Sequence, residues 1–327
     1  MENEGRASAG LTVAAKRAPK TPHKFFELIP PDTRIDFVRL ASIMIGVSIV
    51  AILIGLASIW FRGGLNYGID FSGGTMVEVR FPNATSIGDV RAALARDDLH
   101  EVVVQEVGRD GTEFQVRVRG IDEGRKLSTG DAVRVALNEK FGESSYDIRR
   151  MESVGPKVGK ALWRDAALAV FTATLLMEAY IWFAFDLRFG LCAAVALVPD
   201  VAIAIGALSL ADMEFDLTTV AALLTVVGFS VNDTVIISDR IRENLKKMRG
   251  ERLARIINLS INETLSRTII TNGTAILVTA VLFVLGGSVI HSFAFALLVG
   301  FIAGTYSSIY IACPLVLVME GWGRSGH

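Results

Sequence analysis

Six long stretches of this chain are too apolar for the half-buried helices of a soluble domain, and they set its architecture. Leu40 to Phe61 runs without a charged side chain, and a helix needs roughly 20 apolar residues to cross a bilayer. Five more runs follow, over residues 165–185, 189–211, 217–237, 268–288 and 292–319. Hydrophobic residues make up 51% of the chain, and the 20% that are charged are segregated between the runs. The net charge of −1 argues neither for nor against an anionic partner, and nothing points to nucleic acid. Cys192 and Cys313 lie inside apolar runs, so they read as small buried or lipid-facing side chains and not as a disulfide framework.

Residues 1–33 are small, polar and basic, with Arg6, Lys16, Arg17, Lys20 and Lys24, and read as a disordered or surface-lying tail. They carry no signal-peptide pattern. A first transmembrane helix at 37–61 follows. Residues 63–157 are charged and alternate between strand and helix periods. Met76–Phe81 reads as a strand, and Ile87–Ala95 as an amphipathic helix capped by Ser86. Val102–Glu106 and Phe114–Val118 are strands around the turn Gly108-Arg109-Asp110-Gly111. Leu127–Phe141 has helical spacing, and Ser145–Met151 reads as a last strand. This order, β-α-β-β-α-β, is that of a ferredoxin-like domain, inserted after the first span. Its hydrophobic sheet face is open to unfolded chain or a neighbouring domain.

Residues 162–320 then hold a five-helix transmembrane domain. Six spans put both termini on one side. Basic loops mark the cytoplasmic side. The 238–267 loop holds Arg240, Arg242, Lys246, Lys247, Arg249, Arg252 and Arg255, whereas 212–216 holds Asp212, Glu214 and Asp216 and no basic residue. The termini and the 238–267 loop are therefore expected in the cytoplasm, and the 63–157 domain in the periplasm. The basic loop also attracts anionic lipid, and Glu243 and Lys247 are spaced as an i,i+4 helix pair.

Polar residues inside the spans are expensive and ask for a use. Asp200 lies mid-way along the third span, after Pro199. Asn232 and Asp233 lie toward the cytoplasmic half of the fourth. Arg267 opens the fifth, followed by Thr268, Thr271, Asn272 and Thr274, and Glu178 lies in the second. Each also has a plainer use. Arg267 snorkels to the interface, Asp233 accepts a structural hydrogen bond at a helix end, and Asp200 bonds the backbone freed by Pro199. Glu178 stands alone as a protonated carboxyl or meets a partner helix. Taken together they suggest a switch. Desolvation favours a neutral carboxyl and a neighbouring guanidinium favours the carboxylate. An Asp whose Arg neighbour approaches and withdraws would therefore bind and release protons. Asp233 and Arg267 lie near the same end of adjacent spans, so their pairing is geometrically feasible.

Three segments carry a family resemblance. Gly68-Ile69-Asp70-Phe71-Ser72-Gly73-Gly74-Thr75 resembles the GxDFxGG signature of the SecD/SecF family of protein-export membrane proteins. The segment from Gly228 to Asn244 resembles that family's GYSLNDTVVVFDRIREN, and Asn262 to Thr268 resembles NQTLSRT. The last two, with the single short outer domain, favour the SecF branch. The resemblance implies an α-helical membrane protein with six transmembrane helices, half of an RND-type (resistance–nodulation–division) transporter, plus the α+β ferredoxin-like domain. It implies work beside SecD at the Sec channel (SecY, SecE and SecG, with a YajC-type accessory) in the bacterial cytoplasmic, or inner, membrane. There the proton gradient would assist late translocation of polypeptides. Carried over by motif, Asp233 is the intramembrane carboxyl and Arg267 its basic partner, with a further Asp supplied by SecD. Gly68, Asp70, Gly73 and Gly74 are structural, the glycines turning the backbone into the first strand and Asp70 bonding that turn. The chain departs from the family at Phe229 (usually Tyr), at Pro199-Asp200 (commonly His-Asp) and at Ser238 (usually Phe).

Two other readings compete. A small RND-type exporter normally has twelve spans and two large outer loops, and this chain has half of each. A non-energised scaffold would tolerate neutralisation of Asp233. An enzyme has no support: His23, His100, His291 and His327 match no metal spacing, and no cofactor is implied.

Overall fold

The computed structural model describes residues 35–96, 99, 101–107, 110–119, 128–184 and 187–324. The tail 1–33, Gly108 and Arg109 of the expected turn, Leu127, His23, His100 and His327 lie outside them. Helix α1 (Phe37–Phe61) leads into a short helix α2 (Ile69–Ser72). A small domain follows: β1 (Gly74–Arg80), α3 (Ile87–Leu94), β2 (Val102–Val107), β3 (Glu113–Val118), α4 (Thr129–Phe141) and β4 (Asp147–Val154). The bundle resumes with α5 (Pro156–Ala184), α6 (Leu187–Leu210), α7 (Leu217–Lys247), α8 (Leu253–Leu285), α9 (His291–Ser307) and α10 (Cys313–Arg324). A π-helical turn at Ser308–Ala312 joins the last two into one span. Among the described residues, six helical segments are long and apolar enough to cross a membrane.

The small sheet has the order β2-β3-β1-β4, with antiparallel neighbours, which is the ferredoxin-like arrangement. Alternation along the strands decides its faces. Val77, Val79, Phe114 and Val116 point into a core closed by Val90, Leu94, Val133 and Leu137 from α3 and α4. The apolar face is thus filled by the domain's own helices and is not open to another chain. Met76, Gln115 and Arg117 lie on the opposite face, turned toward the bundle. Ser86 caps α3 by accepting from the Gly88 N–H, and Ser128 caps α4 from the Asp131 N–H, satisfying N–H groups that the helix leaves free.

Within the bundle α7 and the α9–α10 span are central, with 56% and 61% of their apolar windows buried. By contrast α1, α5 and α8 bury only 17%, 11% and 17%, so they form the outer wall. Helices α7 and α8 continue through most of the segment expected to be a 238–267 loop, leaving a turn at Met248–Arg252. Charge pairing holds this extension together. Arg240 Nε donates to Glu263 Oε2 at 2.6 Å, Asn244 Nδ2 donates to the same oxygen at 2.8 Å, and Lys247 Nζ reaches Glu243 at 2.6 Å. The last is the i,i+4 pair expected from spacing.

Candidate functional site

The glycine-rich segment sits at the root of the small domain. Gly73 ends α2 at φ +70° and Gly74 follows at φ +124°. A Cβ on Gly74 would stand 2.6 Å from the Val118 carbonyl oxygen, so both conformation and space require glycine here. Asp70 does not bond this turn. Its Oδ2 accepts from the Leu217 N–H at 3.0 Å, the first residue of α7, while Asp216 Oδ1 caps the same helix from the Thr219 N–H at 2.7 Å. Two carboxylates at a helix N-terminus complement its free N–H groups and dipole. Asp70→Ala is expected to cost about 1 kcal/mol, the usual worth of a cap, read as a lower thermal midpoint of the purified protein.

The root is sewn to the same turn by backbone. Gly68 N donates to Phe215 O at 3.0 Å and Phe215 N to Asn66 O at 2.8 Å. From β3, Gln115 Nε2 donates to Glu214 Oε2 at 2.9 Å, and Arg117 Nη1 stands 3.6 Å from Glu214 Oε1. Burial lifts the Glu214 carboxyl above its ordinary range, and the Arg117 guanidinium opposes that shift.

Deeper in the bundle, polar side chains meet in two groups on either side of α7. On one side Asp200 of α6 is fully buried. Its Oδ2 accepts from Ser230 Oγ of α7 at 2.6 Å and from Ser307 Oγ of α9 at 2.8 Å. Ser308 Oγ donates to the Ser230 carbonyl at 3.1 Å and lies 3.0 Å from Thr234 Oγ1. Asp200 therefore ties three helices together and does not serve the backbone freed at Pro199. Ser307→Ala should cost about 1 kcal/mol, the net worth of one hydrogen bond, visible in thermal unfolding.

On the other side Asp233 is 1% exposed. Its Oδ2 accepts from Asn272 Nδ2 of α8 at 2.5 Å. Its Oδ1, together with Asn272 Oδ1 and Thr268 Oγ1, has no hydrogen-bond partner among the described residues. A buried carboxyl with one oxygen left open beside an amide oxygen that is also open is a group that can accept a proton. The expected Asp233–Arg267 pair is not formed: Asn272 occupies that place, Arg267 is exposed on the outer wall, and Asn232 is exposed on α7. The reason is helical geometry. At about 100° per residue, positions 267 and 272 lie roughly 140° apart around α8, so a helix that aims Asn272 at α7 turns Arg267 outward. The missed signal was the four-residue repeat Ser260, Thr264, Thr268, Asn272, which is the buried polar stripe of α8. Glu178 is half-buried on α5, and its Oε1 also lacks a partner among the described residues. Phe229 packs its ring 4.4 Å from that of Phe301. Cys192 and Cys313 are buried free thiols.

Comparison with known proteins agrees with this architecture. Residues 134–322 match the family described as protein export membrane protein SecD/SecF, C-terminal, and residues 58–81 match the SecD/SecF GG motif. The chain is 43% identical to protein translocase subunit SecF of Desulfurispirillum indicum, over 86% of its own length and 91% of the relative's. It is 46% identical to the same subunit of Magnetococcus marinus, over 89% and 94%. The crystal structure of SecDF from Thermus thermophilus, a translocon-associated membrane protein, superposes with a TM-score of 0.80 at 35% identity, covering 90% of this chain and 40% of that one. With a family model over more than half its length and relatives above 40% identity over most of theirs, the chain belongs to the SecD/SecF family of protein-export membrane proteins, on its SecF branch.

Proposed function

We propose that this protein works with SecD beside the Sec channel (SecY, SecE, SecG and a YajC-type accessory) and couples the proton gradient to late-stage polypeptide translocation. The observation that carries the reading is Asp233, a carboxyl buried in the centre of a membrane bundle with one oxygen left open. Burying a charge there is costly unless it is neutralised or paired, so the group is suited to alternate between protonated and paired states. Arg267 and Asn232 support a shared path. Both are exposed on helices long and apolar enough to span a membrane, where lipid offers no hydrogen bonds, so partner helices are expected against them. SecD fits that place, and a SecD carboxylate would meet Arg267. In this reading the 63–157 domain is periplasmic, and both termini lie on the cytoplasmic side of the inner membrane.

The test is translocation into vesicles holding the Sec channel and SecD, with and without this chain and with and without a proton gradient. Gradient stimulation that requires the chain supports the reading. Equal stimulation without it would leave the chain as a scaffold, and stimulation by a sodium gradient alone would change the coupling ion.

A further inference from the structure

The sheet domain is joined covalently to the bundle through glycines on both sides. On one side is Gly63-Gly64, at φ +75° and +135°. On the other is Gly155, where a Cβ would meet no atom within 4 Å. Side chains of the sheet reach the bundle at Glu214. It receives Gln115 at 2.9 Å and Arg117 at 3.6 Å, and Arg117 is itself held by donating to Gln105 Oε1 and to the Tyr67 carbonyl, both at 3.1 Å. The two charged side chains are only 9% and 14% exposed, so water and salt screen them little. Glu214 lies in the turn that opens α7 at Leu217, the helix that carries Asp233. Beside this contact, between the sheet base and the bundle roof, lies a cavity of about 250 Å³ lined by Arg62, Asn66, Gln105, Arg119 and Asp212 among others. The Glu214 contact thus adds a side-chain tie from the sheet to the backbone bonds at its root, with free space next to it.

We propose that Glu214 is a positioning residue that fastens the sheet domain to the N-terminal end of α7, so that a displacement of α7 is passed to the sheet as a tilt about its glycine joints. The proposal rests on the reading that Asp233 couples the proton gradient to translocation; it adds that the coupling displaces α7 and names the contact through which that displacement reaches the sheet. A latch of this kind adds nothing to proton binding itself. Its loss uncouples the domain without disturbing the intramembrane site.

The experiment uses the full chain in complex with SecD, spin-labelled at Ser144→Cys on the sheet domain and Lys160→Cys on α5. Both positions are exposed, and the native thiols are buried. Pulsed distance measurement on wild type, Glu214→Ala and Glu214→Gln reports the spread of domain orientations. Glu214→Ala is expected to broaden the distribution, and Glu214→Gln, which keeps the Gln115 bond and loses the charge, to broaden it less. In the vesicle assay Glu214→Ala should lose gradient stimulation at least about fivefold, the low end of coupling between linked sites, with gradient-independent translocation unchanged. Distributions as narrow as wild type in both variants would overturn the proposal. So would a broadened domain that keeps full stimulation in a complex whose wild type responds. If wild type shows no gradient response, the proton reading fails, and the distance distributions still decide the latch.

Discussion

Asp233→Asn is expected to assemble with its partners at the wild-type level and to lose most gradient-stimulated translocation. The substitution is close to isosteric, and its side-chain oxygen can still accept the Asn272 Nδ2–H bond made by Asp233, so packing between α7 and α8 is kept. The amide cannot take up or release a proton. One elementary charge carried through 100 mV is worth about 2.3 kcal/mol, which corresponds to about 50-fold in an equilibrium at 1.4 kcal/mol per factor of ten. Loss of a single coupled proton should therefore reduce the gradient-dependent component at least about tenfold. The measurement is the rate of late translocation into vesicles at equal protein content, with the gradient present and after it is collapsed. A mutant that keeps the wild-type ratio of the two rates would remove Asp233 from the coupling path and favour a scaffold.

The second large effect concerns assembly of the bundle. Helices α1 and α6 cross at a pair of glycines. A Cβ built on Gly206 stands 2.8 Å from the Gly55 Cα, and one on Gly55 stands 2.7 Å from the Gly206 Cα. Both obstacles are backbone, which cannot swing aside as a side-chain tip can. Without a hydrophobic drive between helices in lipid, close backbone approach and the bonds it permits hold such a pair together. Here those bonds include Ser58 Oγ to Ser209 Oγ at 2.9 Å and Arg62 to Asp212 at 3.1 Å. Gly206→Val is expected to part the helices and cost about 3 kcal/mol, the upper part of the usual overpacking range. Gly46→Val is the control, since nothing lies within 4 Å of that Cβ. Thermal unfolding of the purified protein in nanodiscs compares the two. Equal midpoints would show that the crossing is not close-packed in the membrane.

Much of the small domain was legible because its signals are local. Strand alternation around Val77 and Val116, and Ser86 standing before an amphipathic run, need no knowledge of distant residues. The element ends moved where capping decided them: α4 begins at Thr129 because Ser128 caps it, and α5 begins at Pro156, a residue suited to the first helical position. The extent of α7 and α8 was read too short because hydropathy falls where the helices leave the apolar layer, while helical hydrogen bonding and the Arg240–Glu263 pair continue. Asp70 was placed in the wrong bond for a different reason. Its partner, the Leu217 N–H, is 147 positions away, and no sequence pattern records that distance.

By itself, the sequence determined the six apolar spans, the ferredoxin-like order of the small domain and the presence of Asp200 and Asp233 within the apolar runs. Hydrophobic length and periodicity are properties of a single segment, and the penalty for a polar group in lipid applies wherever the helix turns. The tertiary structure alone decided the partners. Rotation of each helix about its axis gives Asp233 to Asn272, turns Arg267 outward, gathers Ser230 and Ser307 on Asp200, and brings Arg117 of the sheet to Glu214. That rotation is set by the packing of all the helices at once, at contacts such as the Gly55–Gly206 crossing, and not by the segment that carries the residue.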